Sequence, residues 1–152
     1  MRAPPLLLLA LVLVLPTAAG LGCGGHITPI LDELPFAPQQ RSAGYGLVGG
    51  MHVLLVDPAS DGVLRRMTLQ ATDLSGDFSV GAGTLTVSLV EQRPDGTSVT
   101  YTAVSGTVSI QGVPGPTYGE QVAIDLLLSD AREPWREHHV AGTYVAPLDY
   151  EG

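Results

Sequence analysis

Chemistry in this chain would have to come from a few small groups of side chains. His138 and His139 stand together with Glu133, Glu137 and Trp135 in DAREPWREHH (130–139), the densest gathering of polar and aromatic residues. Imidazole and carboxylate ligate zinc and carry protons, but zinc needs three or four protein ligands converging on one point. Neighbours on an extended strand point to opposite faces, so only one of the two histidines could easily join a given site. His26 and His52 are remote in sequence. A solvated loop with Trp135 packed over a sheet edge accounts for the same residues. Asp73–Leu74–Ser75–Gly76–Asp77 sets oxygen side chains at alternate positions, as the first half of a calcium loop does. Phe78 then stands where such a loop needs glycine, and Thr84 where it needs a bidentate glutamate, so an inter-strand turn is the better reading. Gly-x-Ser-x-Gly is absent; Ser79 in GDFSVG (76–81) has the spacing wrong by one. The five tyrosines, Tyr45, Tyr101, Tyr118, Tyr144 and Tyr150, are spread along the chain and suit half-buried sheet positions with the hydroxyl in water. No catalytic, cofactor-binding or metal-binding residue is assigned, and the expectation is a protein that is not an enzyme.

The most specific chemistry belongs to Cys23, the one cysteine. Arg2 lies in a short N-terminal region, Leu6 to Leu15 is an unbroken apolar run of ten residues, and Pro16 ends it. Ten residues fall short of the roughly 20 needed to span a bilayer, so the run reads as a cleaved export signal. Gly20–Leu21–Gly22–Cys23 resembles the lipobox of bacterial lipoproteins, with a small residue before the cysteine and Gly20 where leucine is usual. The resemblance covers residues 1–23. It implies that Cys23 is diacylated and becomes the new N-terminus, a lipid anchor at the cell envelope. The alternative is ordinary secretion after cleavage at Ala19 or Gly20, which would leave an unpaired thiol in an oxidising compartment.

Removing residues 1–22 leaves 130 of the 152 residues, enough for one domain. That part carries six arginines against fifteen carboxylates, a net charge of −9. Scattered arginines on an acidic chain give no electrostatic footprint for nucleic acid or anionic headgroups. Lysine and asparagine are missing altogether, so no Asn-x-Ser/Thr glycosylation site exists. With one cysteine and few aromatics, stability must rest on a core of Val, Leu, Ile and Ala.

Residues 24–44 contain Pro29, Pro35 and Pro38 and hold no sustained period. They read as a tether (23–44), at most about 70 Å long when extended, with Ile30–Leu31 and Leu34–Pro35–Phe36 able to dock on the domain. From Gly50 the pattern has period two. Met51–Val56 is a short apolar strand ended by the turn cluster DPASDG (57–62). An alternating segment follows over 63–72. Phe78 and Val80 then alternate on even numbers and Leu85, Val87 and Leu89 on odd ones, so an inserted residue, a bulge or a bend, is expected at Gly81–Ala82–Gly83. Arg93–Pro94–Asp95–Gly96 is the strongest turn signal and joins strands over 84–90 and 98–104. Parity changes again at Ser105–Gly106, Val113–Pro114–Gly115–Pro116 reads as a loop, and Val122, Ile124, Leu126 and Leu128 form the clearest strand. Residues 140–145 make the last one. The stretch 130–139 could hold a helical turn or two after Pro134.

About seven short strands joined by hairpin-compatible turns indicate an all-β domain over 45–152, an antiparallel β-sandwich, with a small up-and-down β-barrel as the alternative. The expected function is an envelope-anchored lipoprotein whose β-domain has a binding or structural role towards an envelope protein or glycan. Its membrane attachment is through lipid, and nucleic acid is not a partner. Two other classes stay open: a barrel carrier or inhibitor holding an apolar ligand, and a metal-dependent hydrolase centred on His138 or His139.

Overall fold

The computed structural model describes residues 29–46, 49–59, 61–113 and 119–149. The chain there is all-β, with no helix among the described residues. Nine strands follow in order: β1 (Ile30–Glu33), β2 (Gln40–Tyr45), β3 (Met51–Pro58), β4 (Leu64–Ala71), β5 (Gly76–Ser79), β6 (Leu85–Gln92), β7 (Ser98–Val113), β8 (Gly119–Asp130) and β9 (Arg136–Pro147). They form one sheet in the order β1-β9-β8-β7-β6-β4-β3-β2, with β5 on β7. All the pairings are antiparallel except β1 with β9, which is parallel.

Period-two alternation creates this sheet because it gives each strand one apolar side. Val53 and Leu55 on β3, Met67 and Leu69 on β4, Val87 and Leu89 on β6 and Leu126 and Leu128 on β8 are almost wholly excluded from solvent. They belong to a single core cluster that also takes Ala43 from β2 and Ala146 from β9, near the two ends of the strand order. A flat sheet could not bring those ends to one core, so the sheet folds over on itself as a sandwich does. It is not closed into a barrel: where β2 meets β9 there is, among the described residues, one bridge, Ala43 with Leu148, and one further bond, Asp149 N–H to Ala43 O at 2.7 Å.

The seam between β2 and β9 is filled by residues 34–39, which link β1 to β2. Leu34 N–H donates to His139 O (3.0 Å) and Gln39 N–H to Val56 O (3.0 Å), pinning the link to both sides. Leu34 and Phe36 pack on the core. Phe36 meets the Tyr144 ring edge-on at 6.2 Å, and the Tyr144 hydroxyl donates to Phe36 O at 3.2 Å. β1 and β2 thus lie inside the segment read above as a tether, and the sheet begins at Ile30.

Three other expectations need correcting or refining. The parity break at Gly81–Ala82–Gly83 is no bulge within one strand; the chain turns there between β5 and β6. Phe78 and Leu85 both still reach the core, but β5 pairs with the far half of β7 and β6 with its near half. The stretch 130–139 makes a tight turn, Glu133 N–H to Asp130 O and Arg136 N–H to Glu133 O (both 3.0 Å), and then enters β9 without a helix. Of the loop expected at 113–116, residues 114–116 lie outside the described residues.

Two other signals hold, at Gly96 and at Ser105–Gly106, whereas β3 runs on through Asp57 and Pro58 of the expected turn cluster. Gly96 closes the β6–β7 hairpin with φ +82°, donating to Arg93 O at 2.9 Å. The change at Ser105–Gly106 is a β-bulge: Val104 is the extra residue between the pairs Ala103–Leu128 and Ser105–Leu127. It moves the inward set of β7 from odd to even positions, so Tyr101 and Val108 both face the core. Gly106 has φ +117°, and any Cβ on it would strike the Asp125 carbonyl oxygen of β8.

These two glycines give a differential test. Gly96→Ala adds conformational strain in open space and should cost about 1 kcal/mol. Gly106→Ala adds a backbone collision and should cost at least about 3 kcal/mol. Urea denaturation of both variants measures the gap, and equal costs would mean that β7 and β8 do not approach so closely in solution.

Candidate functional site

β6, β7, β8 and β9 bring one end of the core to a polar cleft of about 540 Å³. The β6–β7 turn supplies Arg93 and Asp95, the β8–β9 turn supplies Arg132 and Glu133, and Tyr101 and His138 line it from β7 and β9. Tyr101 is buried because the bulge keeps it facing inward. His138, beside Leu128 on β8, presents its ring edge to Tyr101 with centroids 4.9 Å apart. Burial pushes the Tyr101 hydroxyl above its ordinary pKa, reinforced by the Glu91 charge.

The charges around the cleft are matched. Arg93 Nε donates to Glu91 (3.2 Å), Arg132 Nε to Asp130 (3.2 Å) and Arg136 Nε to Asp32 on β1 (3.0 Å). Beneath them lies a charged layer in the core's own rows. Asp57, Arg65 and Glu91 are register neighbours on β3, β4 and β6, and all three are buried. Arg65 Nε donates to Glu91 at 3.2 Å and its Nη2 to Asp61 at 3.3 Å, while Asp57 accepts the Ala37 N–H at 3.0 Å. Hydrogen-bonded in this way, the charges can be carried without facing apolar side chains bare.

His139 points to the other face of β9, as strand alternation requires. Its Nδ1 lies 3.0 and 3.1 Å from the Glu33 carboxylate of β1, and its Nε2 lies 2.8 Å from Asp125 Oδ1 of β8. A neutral imidazole has one N–H, so two such contacts with carboxylates call for the protonated ring. The Asp125 and Glu33 hydrogen bonds accordingly raise the His139 pKa above its ordinary value. The carboxylates sit on opposite sides of the ring and cannot converge with it on one ion. This is an ionic clamp between β1 and β8.

The two histidines singled out from sequence therefore part company, one to the cleft and one to the clamp. Among the described residues no three His, Cys, Asp or Glu side chains are grouped to hold a metal ion. The Asp73–Asp77 stretch bends between β4 and β5, where the Thr72 hydroxyl donates to Asp73 at 3.2 Å. Ser79 is an exposed residue of β5, and His52 lies on the half-buried outer side of β3. Tyr144 belongs to the seam and Tyr45 is exposed. Cys23, His26, Tyr118 and Tyr150 lie outside the described residues.

Sequence reading missed three groups: Glu33 of the clamp, the Arg65 layer, and Glu120. Asp57, Arg65 and Glu91 all fall on apolar-phase positions of their strands, which was the available signal. Glu120 faces inward on β8, and its Oε2 has no hydrogen-bond partner among the described residues. Loss of hydration raises its pKa above the ordinary carboxylate value. With no second titratable group on it, this carboxyl is half of an acid–base pair at most.

Compared with known proteins, the chain matches no family model, no curated protein and no solved structure.

Two pH effects follow. His139 binds its proton more tightly in the folded state, so the clamp stabilises fully below the unfolded value near 6.5 and fades as pH rises through the raised folded value. The melting temperature of His139→Gln should lie below that of the parent in mild acid, and the difference should shrink towards alkaline pH. A constant difference would mean that the ring's charge is not involved. Glu120 is destabilising once ionised, a penalty that grows as pH rises from 4.5 through its raised folded value. Glu120→Gln should therefore raise the melting temperature at neutral pH and leave it nearly unchanged well below 4.5.

Proposed function

We propose that this protein is a lipid-anchored component of the bacterial envelope whose β-domain binds or braces an envelope partner, protein or glycan. The observation that carries the reading is the position of Cys23, directly behind an apolar run of ten residues and the small residues Gly20 and Gly22. A thiol placed there is the acceptor that lipoprotein processing uses. The β-domain supports a binding role through the polar cleft. Its arginines are paired with carboxylates, and Tyr101 and His138 add ring surface, a combination suited to neutral polar groups such as sugar hydroxyls or peptide amides. His138 contacts a ring and His139 two carboxylates, so neither of them is hydrogen-bonded, among the described residues, to a hydroxyl it could activate.

A second reading, a carrier of an apolar ligand, draws on a cleft of about 650 Å³ at the other end of the core. Met51, Ala71 and Leu85 contribute an apolar floor to it, and the volume is within the range of small-molecule sites.

Intact mass spectrometry of the protein from the membrane and soluble fractions of its host tests the anchor. A mass beginning at Cys23 with added acyl chains is expected; an unmodified chain beginning at Gly20 or Leu21 would overturn it. Spectra under non-denaturing conditions that retain an apolar molecule would favour the carrier.

A further inference from the structure

The first strand starts at Ile30, seven residues after Cys23. Those residues can span at most about 25 Å, far less than the length a tether to residue 44 would allow. An acylated Cys23 would keep the start of β1 close to the bilayer. What lies at that point is apolar and exposed: Ile30 at 52%, Leu31 at 58% and Trp135 at 50% of full accessibility. They share one end of the sheet, because Ile30 N–H donates to Trp135 O at 2.9 Å and ties the start of β1 to the β8–β9 turn, with Ile30 and Leu31 on opposite faces of the strand. The other large exposed apolar residues, Tyr45, Leu74, Val104 and Val145, belong to other strands and turns.

We propose that Ile30, Leu31 and Trp135 form a membrane-contact tip that rests in the interfacial layer of the bilayer to which Cys23 is attached. The inference rests on the acylation of Cys23 proposed above. Tryptophan is at home at the boundary of headgroups and acyl chains, where its ring is half apolar and its N–H stays wet. Arg136, 3.0 Å from Asp32 and 3.7 Å from Glu133, offsets part of the carboxylate charge beside the tip. Three side chains are too few to hold a second copy of the chain, which needs about 800 Å² on each partner. They suffice for a surface that the acyl chains already hold close, where the tip sets how the domain lies against the bilayer while the chains supply the anchoring. The polar cleft opens at the same end of the core, so the tip would turn it towards the membrane surface.

Trp135 is the chain's one tryptophan, so its fluorescence reads the tip directly. The protein would be purified from host membranes, checked by intact mass, and reconstituted in phosphatidylcholine–phosphatidylglycerol vesicles with and without brominated acyl chains. Expected are a blue-shifted Trp135 emission and a clear loss of its intensity to the brominated lipid, as for a ring at the interface. An Ile30→Ser, Leu31→Ser double variant, altered at exposed positions only, should keep its acyl mass and its melting temperature and lose most of the quenching. Acylated protein whose Trp135 emission matches that of detergent-free Cys23→Ser protein, with no quenching, would overturn the tip and leave the anchor standing. Protein without acyl mass would overturn the anchor, and the tip with it.

Discussion

A long antiparallel ladder has a buried face that must be covered and two ends that must be dealt with; in this protein one constraint answers both. The sheet folds until β2 reaches β9, yet only Ala43 and Leu148 bridge there. Beside that bridge and the Asp149 N–H to Ala43 O bond, the seam holds side chains and the strap of residues 34–39: Leu34 and Phe36 from the strap, Tyr144 from β9, and Arg41, whose guanidinium lies 5.6 Å from the Tyr144 ring and donates to Pro38 O at 2.8 Å. The core from β3 to β8 is buried, and the seam covers its open side. The seam in turn leans on the clamp, since Glu33 is the last residue of β1, directly before the strap.

The buried charges make sense in the same terms. Where the apolar rows of β3, β4 and β6 run out, Asp57, Arg65 and Glu91 occupy the next inward positions instead of leaving an apolar rim to water. Such a layer contributes little net stability, because desolvation offsets attraction, but deleting one member strands the rest at a cost of about 3–5 kcal/mol. It also couples distant parts of the chain: the Asp57 carboxylate holds Ala37 in the strap, and Glu91 holds Arg93 at the mouth of the cleft.

How much of this could be read beforehand follows from the range of each interaction. The strands of the central meander were legible because alternation and turn chemistry are local, as Leu69, Val87 and Leu126 on their apolar phases and Gly96 in its turn illustrate. The bulge at Val104 was legible for the same reason, as a change of parity. The β1–β9 pairing was not. β1 has four residues, ILDE, with no alternation, and its partners lie about a hundred residues away; Glu33 and His139 are separated by 106 positions. The break at residues 81–83 was visible, but one strand bending and two strands with different partners leave the same trace in a parity pattern. The division of His138 and His139 between two faces was legible from strand alternation, whereas their partners Tyr101, Glu33 and Asp125 were not, because those lie on other strands.

The parallel pairing of β1 with β9 and the bridge from β2 to Leu148 have a consequence for the order of events in the life of the chain. The contacts that shut the seam join the first of the described residues to the last of them, so their loop-closure entropy is met only after the intervening strands have collapsed. β3, β4 and β6 can zip as neighbours while the rest is still being delivered, but the core cannot be sealed until Leu148 is present. In a chain made from its N-terminus, the contacts that fix β1 and β2 against the far edge can therefore form only after β9 and Leu148 have been delivered. The topology leaves the first strands waiting for the last.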